Sequence, residues 1–433
     1  MTGSLLALPI EAARVLAPAY AVAAVLAVAL LLPVPGVKAR LGIWWPIALL
    51  ATGVGALLGW LAVWIVVDQQ DLFGVPASPV VLGAAAAGGG GVGLALANLV
   101  RTRWWRKVIA IIAIPAVLAA GGLMINRDVA YFPKLGDALG ITGVAALSLH
   151  HAGSGTVPLR DWRPPAAMPT SGTVGTVDIP GVQSHWSGRP AWVYEPPAAR
   201  TAHPPKLPVV IAFSGQPGSP SDVFVAGNLQ AQLDAIARAH KGVAPIVVVP
   251  DQLGWSLRSN PMCIDSRLGN VATYVTVDVR AWVLRHLPVA TSRQDWAVAG
   301  FSQGGTCAVQ FGAKYPQLFG SFLAISSELG PHDLTVARTV KEVFSGSMAA
   351  FTATQPITIM RRNAPYPATT ALYCVGARDA SYGAVMPKLV AASKRAGMTT
   401  ESTRLPGVAH NWNTGAAGFA WGLPKLVRLW GLP

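Results

Sequence analysis

The sequence predicts two parts of different fold class: an all-α transmembrane bundle of about four helices, followed by an α/β domain with a mostly parallel sheet. Hydrophobic residues make up 52% of the 433-residue chain and charged residues only 12%, whereas about a quarter of the residues in a soluble protein are charged. The apolar excess lies in residues 1–130, which carry four acidic side chains. After them, short apolar runs alternate with helical patterns, which indicates strands covered by helices on both faces.

Four long apolar runs fill the N-terminal third of the chain. They cover roughly residues 13–33, 43–67, 75–100 and 108–126. Each is long enough to cross a bilayer core, which takes about 20 residues. A cleaved signal peptide would explain only one of them, so we expect residues 1–130 to form a multi-pass region of the cell membrane. Residues 84–91 are nearly all Ala and Gly, which favours close packing between helices.

The charges between these runs predict an orientation. Basic residues lie between runs one and two and between runs three and four, whereas runs two and three are separated by acidic residues alone. The basic residues are Lys38, Arg40, Arg101, Arg103, Arg106 and Lys107, and the acidic ones are Asp68 and Asp71. Positive charge stays on the cytoplasmic side of a membrane. We therefore expect both termini, and everything after Arg127, to be extracytoplasmic.

The remainder of the chain predicts a connector and a single α/β domain. Residues 131–170 form a juxtamembrane connector with a short apolar helix expected near residues 139–149, and residues 171–433 form the domain. Eight strand-like runs follow one another, the first two antiparallel. They lie at 173–179, 190–194, 207–213, 244–249, 296–299, 321–325, 370–375 and 399–405, with helical runs such as 229–240 and 275–287 between them.

A Gly-Phe-Ser-Gln-Gly sequence at residues 300–304 is the most informative motif. It stands between an apolar strand and a helical run, which is the context of the nucleophile elbow of α/β-hydrolases. The pentapeptide alone is weak evidence, since a glycine-rich chain of this length can match it by chance. The elbow would present the hydroxyl of Ser302 at the apex of the turn.

Two later features complete a hydrolytic triad. Asp379 follows the strand at 370–375, and His410 lies in a loop after the strand at 399–405. The order Ser, Asp, His is the one that this fold requires. A serine hydroxyl needs a base and a group that orients the base, so Ser302 is the predicted nucleophile, His410 the base and Asp379 the orienting acid. Glu328 and Asp333 are the rival acids.

An oxyanion hole is predicted beside the elbow. In this fold one donor is the backbone N–H after the nucleophile, here Gln303, and the second comes from the loop after an earlier strand. The loop after the strand at 207–213 begins Ser-Gly-Gln-Pro-Gly. Gln216 is the first candidate for the second donor, and Gly215 is the alternative. A plain turn without catalytic meaning is the other interpretation of this loop.

From about residue 171 onwards the chain resembles the esterase D family, which includes the antigen 85 mycolyltransferases and the enterochelin esterases. The resemblance is carried by the segments 248–251, 300–305, 376–379 and 410–412, followed by Trp421. It implies acyl-ester chemistry through an acyl-enzyme. No cofactor is expected, and no metal is expected because no pair of the three cysteines has the spacing of metal ligands. Asp251 and Trp412 belong to these segments and are our candidates for substrate binding. The arginine that antigen 85 proteins carry in the oxyanion loop is missing from residues 214–217.

These features predict a membrane-anchored serine esterase or acyltransferase that acts on an acyl ester of the cell envelope or of membrane lipids. One alternative is an aminoacyl-phospholipid hydrolase of the same class. Another is a non-catalytic membrane scaffold or binding protein that uses a hydrolase-like domain. An extracytoplasmic location excludes nucleic acid as a partner. The basic excess of the domain suits anionic lipid headgroups or a plain solvated surface, and the sequence leaves the oligomeric state open.

The three cysteines are Cys263, Cys307 and Cys374. Disulfides persist outside the cytoplasm, and Cys263 and Cys307 are both expected at the sheet edge that carries the active site. We therefore expect a Cys263–Cys307 bond that ties a substrate-side loop to the nucleophile helix. Cys374 lies within a strand and is expected to be a free, buried thiol. Three unpaired thiols remain the alternative.

Overall fold

The computed structural model describes residues 2–32, 38–70, 74–100, 102–148, 156–256, 260–366 and 368–433. The chain divides into two compact units, Met1–Thr142 and Gly143–Pro433. The division falls inside the predicted connector, so the first part of the connector belongs to the helical unit and the rest to the second unit. The apolar stretch 139–148 forms no helix. Residues near Ala146 instead make a short parallel bridge to Thr176, so the helix predicted there is wrong over its described part.

Apart from an isolated bridge between Pro9 and Lys134, the regular elements described in the first unit are helices. Its helices are α1 (Thr2–Leu6), α2 (Ala13–Leu31), α3 (Lys38–Trp64, continued by a π-helical turn at Ile65–Gln69), α4 (Pro79–Leu99), α5 (Trp104–Val129) and α6 (Leu135–Ala138). Among the described residues, four helices are long and apolar enough to cross a membrane: Ala13–Leu31, Gly42–Gln69, Pro79–Leu99 and Trp104–Val129. They coincide with the four apolar runs of the sequence.

Helices α3 and α4 approach each other through glycines. A Cβ atom on Gly89 of α4 would lie 2.3 Å from the carbonyl oxygen of Gly55 on α3, and one on Gly59 would lie 2.3 Å from the carbonyl oxygen of Ala85. Only residues without a side chain fit at such distances, and small residues spaced four apart are typical of close helix contacts in membranes. The small residues of the third apolar run therefore pack against the preceding helix.

Arg106 lies inside α5 rather than in the preceding loop, and its side chain is buried. Its guanidinium donates hydrogen bonds to the carbonyls of Leu30 and Leu32 and to Oδ1 of Asn98. The last carbonyls of a helix have no partner within the helix, so this arginine caps the end of α2. Besides its positive charge, which predicts orientation, Arg106 therefore links α2, α4 and α5 through its guanidinium.

The second unit is built on an eight-stranded sheet. Its strands are β1 (Thr173–Val177), β2 (Ala191–Glu195), β3 (Val209–Phe213), β4 (Ile246–Val249), β7 (Trp296–Phe301), β8 (Ser321–Ile325), β9 (Thr370–Gly376) and β10 (Thr399–Leu405). A separate pair, β5 (Asp265–Ser266) and β6 (Gly269–Asn270), forms a small hairpin. The sheet order is β1-β2-β4-β3-β7-β8-β9-β10. The strands β1, β2 and β4 pair antiparallel and all other neighbours pair parallel, as the sequence predicts.

Helices lie between the strands of this sheet, and one helix follows the last strand. They are α7 (Pro220–Val225), α8 (Leu229–Ala239), α9 (Val271–Thr273, continued by a π-helical segment at Tyr274–Val279), α10 (Arg280–His286), α11 (Gln303–Lys314), α12 (Val336–Val343), α13 (Met348–Ala353), α14 (Pro356–Asn363), α15 (Ala380–Arg395) and α16 (Trp412–Trp430). Every residue of β3, β4, β7 and β8 is buried, which explains why their sequences are continuously apolar rather than alternating. The carboxyl ends of these parallel strands form the edge that carries the candidate site.

Candidate active site

Ser302 occupies a sharp turn between β7 and α11. Its backbone has φ 58° and ψ −120°, a left-handed conformation that a residue with a side chain adopts only when its surroundings impose it. A Cβ atom on Gly300 would lie 2.4 Å from the carbonyl carbon of Gly304, and one on Gly304 would lie 2.3 Å from the carbonyl oxygen of Phe213. The two glycines of the motif therefore allow the strand and the helix to approach, and the turn projects Ser302 at the edge of the sheet.

The structure brings Ser302, His410 and Asp379 into one chain of hydrogen bonds. Nε2 of His410 lies 2.9 Å from Oγ of Ser302, and Nδ1 lies 2.8 Å from Oδ2 of Asp379. The side chain of His410 is only 10% exposed and that of Asp379 only 2%. Both distances are within hydrogen-bonding range for a nucleophile, a base and an orienting acid. Ser302 and Asp379 are 77 residues apart in the sequence. The fold therefore brings them to the two sides of the same imidazole.

Asp379 is held in place by the helix that follows it. It is the N-cap of α15, and its Oδ1 accepts a hydrogen bond from the backbone N–H of Tyr382 at 3.1 Å. Capping uses one carboxylate oxygen and leaves the other directed at His410. Of the rival acids, Glu328 accepts a hydrogen bond from Thr306 on α11, and Asp333 lies beside Thr339 in the segment before α12. Asp379 is the acid that contacts the imidazole.

Two aromatic rings enclose the imidazole of His410. The ring of Tyr382 stacks on it with 4.0 Å between centroids, and the ring of Phe301 lies 5.1 Å away on the neighbouring strand end. Rings packed against the imidazole restrict its rotation and keep Nε2 aimed at the serine. Neither residue is among the site residues predicted from the sequence. Tyr382 had one local signal, since it lies three residues after Asp379 in the first turn of a helix.

The loop at residues 214–219, here named the oxyanion loop, lies next to the nucleophile. A Cβ atom on Gly215 would come within 3.2 Å of Cβ of Ser302, so the backbone of this loop borders the serine. The Gln216–Pro217 peptide bond within it is cis. Gln303 begins α11, and the first N–H groups of a helix have no partner within the helix. The N–H groups of Gly215, Gln216 and Gln303 therefore remain the candidates for an oxyanion hole.

The assignment of Asp251 to substrate binding is wrong. Asp251 is completely buried, and its carboxylate forms a bidentate ion pair with Arg189 at 2.7 Å. It also accepts hydrogen bonds from the N–H groups of Leu253 and Gly254. A buried carboxylate is tolerated when it is paired and hydrogen-bonded in this way, and it has no access to a substrate. Asp251 follows the carboxyl end of β4, where site residues of this fold are expected, and this position led to its prediction as a substrate-binding residue.

Trp412 does not line an open surface either. It is 5% exposed and packs against Phe301, with 5.1 Å between ring centroids. Phe301 in turn contacts His410. Trp412 therefore supports the histidine indirectly, through the ring of Phe301. The substrate contact predicted for it is corrected to a packing role at the start of α16.

A disulfide joins Cys263 to Cys307, with 5.4 Å between their Cα atoms. Cys307 lies in α11, one turn beyond the nucleophile, and Cys263 lies in the loop that follows β4. The bond ties that loop to the nucleophile helix. Cys374 is a buried free cysteine in β9, and burial raises the pKa of its thiol, so it stays protonated at neutral pH.

No group of three or more metal-ligating side chains is found among the residues that the structure describes. The hydrogen-bonded serine, histidine and aspartate can support nucleophilic attack on an acyl carbonyl without a metal or an organic cofactor. That the reaction needs neither a metal ion nor a cofactor stays a prediction.

Comparison with known proteins agrees with this geometry. Residues 189–414 match the model of a family described as "Putative esterase", and this range includes all three triad residues. An uncharacterized protein of Corynebacterium glutamicum is 30% identical over 311 residues, which is 70% of this chain and 72% of that protein. That match is longer than the whole second unit, Gly143–Pro433, so it extends into the helical unit.

A solved structure shares the fold of the second unit, and a second one is reported for comparison. An S-formylglutathione hydrolase from Agrobacterium tumefaciens aligns with a TM-score of 0.52 and 18% identity, over 62% of this chain and 99% of the enzyme. A fluorophosphonate-binding serine hydrolase of Staphylococcus aureus aligns with a TM-score of 0.48 and 13% identity, over 59% of this chain and 99% of that protein. The family match covers half of the chain, and the parallel sheet and the elbow agree with it. The chain therefore belongs to this esterase family, with an α/β-hydrolase domain that follows four long apolar helices.

Proposed function

We propose that this protein is a membrane-anchored serine esterase or acyltransferase that acts on an acyl ester of the cell envelope or of membrane lipids. The observation that carries the proposal is the hydrogen-bonded chain from Ser302 through His410 to Asp379. Its geometry supports a serine nucleophile, and the strained backbone of the elbow places that serine, which is 6% exposed, at the carboxyl ends of the parallel strands. A non-catalytic binding domain would have no need of this arrangement.

The reaction follows from these contacts. Oγ of Ser302 attacks the acyl carbon while Nε2 of His410 takes the hydroxyl proton, and Asp379 stabilises the imidazolium that forms. The N–H groups of Gln303 and the oxyanion loop donate hydrogen bonds to the negative oxygen of the tetrahedral intermediate. Its collapse expels the alcohol, which receives the proton from Nε2, and leaves an acyl-enzyme. Water or an acceptor alcohol then attacks the acyl-enzyme by the same steps in reverse order.

The location of the substrate is inferred from the helical unit. Four helices of sufficient length and apolarity and the separation of basic from acidic loops support a multi-pass anchor with the esterase domain outside the cytoplasm. An ester in the outer leaflet or in the cell envelope is then the accessible class of substrate. Hydrolysis and transfer share the acyl-enzyme and differ only in the acceptor.

Labelling with a fluorophosphonate probe tests the proposal on the full chain in membranes. The wild-type protein should be labelled at Ser302, and Ser302→Ala should abolish labelling and lower ester hydrolysis by at least about 10³-fold. Ser381→Ala is the matched control, because Ser381 is an exposed serine on α15 near the site. Absence of labelling in a folded wild-type protein would favour the non-catalytic scaffold.

The substrate class is tested separately in cells. Lipid extracts from a deletion strain complemented with the wild-type gene are compared with extracts from one complemented with the Ser302→Ala gene. An ester-containing lipid or envelope component should accumulate, or an acylated product should disappear, only with the variant. Accumulation of an aminoacylated phospholipid would identify the more specific alternative. Identical extracts would contradict an envelope or membrane-lipid substrate.

A further inference from the structure

We propose that Gln252 is a positioning residue for the oxyanion hole, whose side-chain amide holds the oxyanion loop against the nucleophile elbow. The inference rests on the proposed function and adds a residue that neither the motif nor the triad contains. Nε2 of Gln252 donates one hydrogen bond to the carbonyl oxygen of Ser214 at 2.8 Å and another to Oε1 of Gln303 at 3.1 Å. Ser214 begins the loop, and Gln303 follows the nucleophile.

These two partners belong to the two halves of the oxyanion hole. The loop after β3 supplies one N–H donor and Gln303 supplies the other through its backbone. Gln252 lies in a third segment, the turn after β4, and is 1% exposed. A single amide group therefore sets the distance between two donors that approach the same oxygen from different segments. Stabilisation of an oxyanion depends on that preorganised distance.

The side-chain amides of Gln252, Gln303 and Asn260 form one hydrogen-bonded network. Two backbone groups that contact Asn260 determine which way these amides are oriented. The N–H of Met262 donates to Oδ1 of Asn260 at 2.8 Å, and Nδ2 of Asn260 donates to the carbonyl of His332 at 3.0 Å. Asn260 therefore presents its oxygen to Gln303, whose Nε2 donates to it at 3.0 Å.

That orientation leaves Oε1 of Gln303 facing Gln252. The side chain at position 252 faces two acceptors, the Ser214 carbonyl and this amide oxygen, so it must supply two donors. A primary amide does so without adding charge, whereas a carboxylate would meet two oxygens with no hydrogen to share. The site thus requires glutamine rather than glutamate at this position.

The turn that carries Gln252 is stabilised by the carboxylate of Asp251. Asp251 accepts hydrogen bonds from the N–H groups of Leu253 and Gly254, which closes the turn around Gln252. Arg189 binds Asp251 and also donates to the carbonyl of Gly218 at 2.8 Å. The ion pair between Asp251 and Arg189 thus fixes the far end of the oxyanion loop, while Gln252 fixes its beginning.

Gln252→Leu tests the proposal, because leucine has a similar volume and donates no hydrogen bond. We expect kcat for a p-nitrophenyl ester to fall about 10- to 100-fold, less than or equal to the loss of a direct oxyanion donor, with KM changed less than about threefold. The inhibition constant of an alkyl boronic acid, whose tetrahedral adduct places an oxygen in the hole, should rise in parallel with the loss in kcat/KM. Gln252→Glu should be at least as impaired.

Gln310→Leu is the matched control. Gln310 is a buried glutamine on the same helix as Gln303, and its Nε2 donates to the carbonyl of Thr354 at 3.0 Å. It should lose thermal stability comparably while keeping kcat and boronate affinity near wild type. If Gln252→Leu does not fold, Gln303→Leu removes the same bond from the other side, and the same two kinetic readouts apply.

The outcomes separate this inference from the proposed function. Wild-type protein that reacts with a fluorophosphonate, together with a folded Gln252→Leu variant of unchanged kcat and boronate affinity, would overturn the positioning role alone. Loss of kcat without any change in boronate affinity would also overturn it, because the hole would then be intact. A wild-type protein that neither labels nor hydrolyses esters would instead overturn the proposed function.

Discussion

At the scale of single residues, the candidate site depends on side chains that each perform two tasks. Asp379 caps α15 with one oxygen and faces His410 with the other. Tyr382 donates its N–H to that cap and stacks its ring on the imidazole. Because the orienting acid and the aromatic ring belong to one helix start, a change in that turn would displace both supports of the histidine.

Glu195 provides a residue-scale prediction about pH. Burial at the end of β2 raises the pKa of its carboxyl to about 7 from an ordinary value of 4.5, and the charge of Arg200 opposes this shift only partly. Between these values the folded state binds more protons than the unfolded state, so stability falls as the pH rises. This contribution is fully present below about pH 4.5 and is lost as the pH rises through about 7.

Denaturant midpoints of the full chain in detergent, measured from pH 4.5 to 8, check this expectation. The wild-type midpoint should decline across the interval relative to Glu195→Gln, which cannot titrate at this position. Parallel pH profiles for the two proteins would show that Glu195 has an ordinary pKa in the folded state.

At the scale of elements, both units use glycine where backbones approach. In the elbow, Gly300 and Gly304 let a strand and a helix meet around Ser302, and in the helical unit Gly55 and Gly89 let α3 and α4 touch. The physical reason is the same, since a Cβ atom would overlap a backbone carbonyl. The consequences differ, because the first contact presents a nucleophile and the second holds a helix pair together.

Gly89→Leu should therefore separate α3 from α4. The Cβ atom alone would lie 2.3 Å from the carbonyl oxygen of Gly55, and overpacking of this kind typically costs about 1–3 kcal/mol or more. Gly83→Leu is the control on the same helix, because nothing lies within 4 Å of its added Cβ atom. We expect the thermal midpoint in detergent to fall for the first variant and to stay near wild type for the second. Equal midpoints would contradict the observed helix contact.

At the scale of the whole molecule, the proposed function depends on which side of the membrane the esterase domain occupies. The native cysteines are a disulfide pair and a buried thiol. They should react little with a thiol reagent, so the labelling of one introduced cysteine can be measured. Cysteine at Gln70 should react with an impermeant thiol reagent in intact cells. Cysteine at Arg103 should react only after permeabilisation, because the basic loops are expected in the cytoplasm.

The reverse labelling pattern would place the esterase domain in the cytoplasm. The triad would be unaffected by that result, but the envelope substrate would be replaced by a cytoplasmic ester. Labelling of both positions in intact cells would instead show that the helical unit does not cross the membrane as expected.

Features that depend on local patterns could be predicted from the amino-acid sequence. Apolar length marked the four helices, and the spacing of strands with the order serine, aspartate, histidine identified the fold and Ser302, Asp379 and His410. These could be predicted because hydrophobic periodicity and the elbow act over a few residues. The start of α5 and the absence of a helix at residues 139–148 were missed, because Arg106 and the bridge to β1 depend on distant partners.

The residues that surround Ser302, His410 and Asp379 could not be predicted in this way, because their contacts come from distant parts of the chain. In the folded chain Asp251 forms an ion pair with Arg189, and Trp412 packs against Phe301. Gln252 forms hydrogen bonds with two residues that are 38 and 51 positions away in the sequence. An amide or a carboxylate in a loop after a strand has the same local sequence whether it faces substrate or a buried partner. Its role is set by which hydrogen-bonding groups the fold brings to it, because a buried polar group must find a partner wherever the chain supplies one.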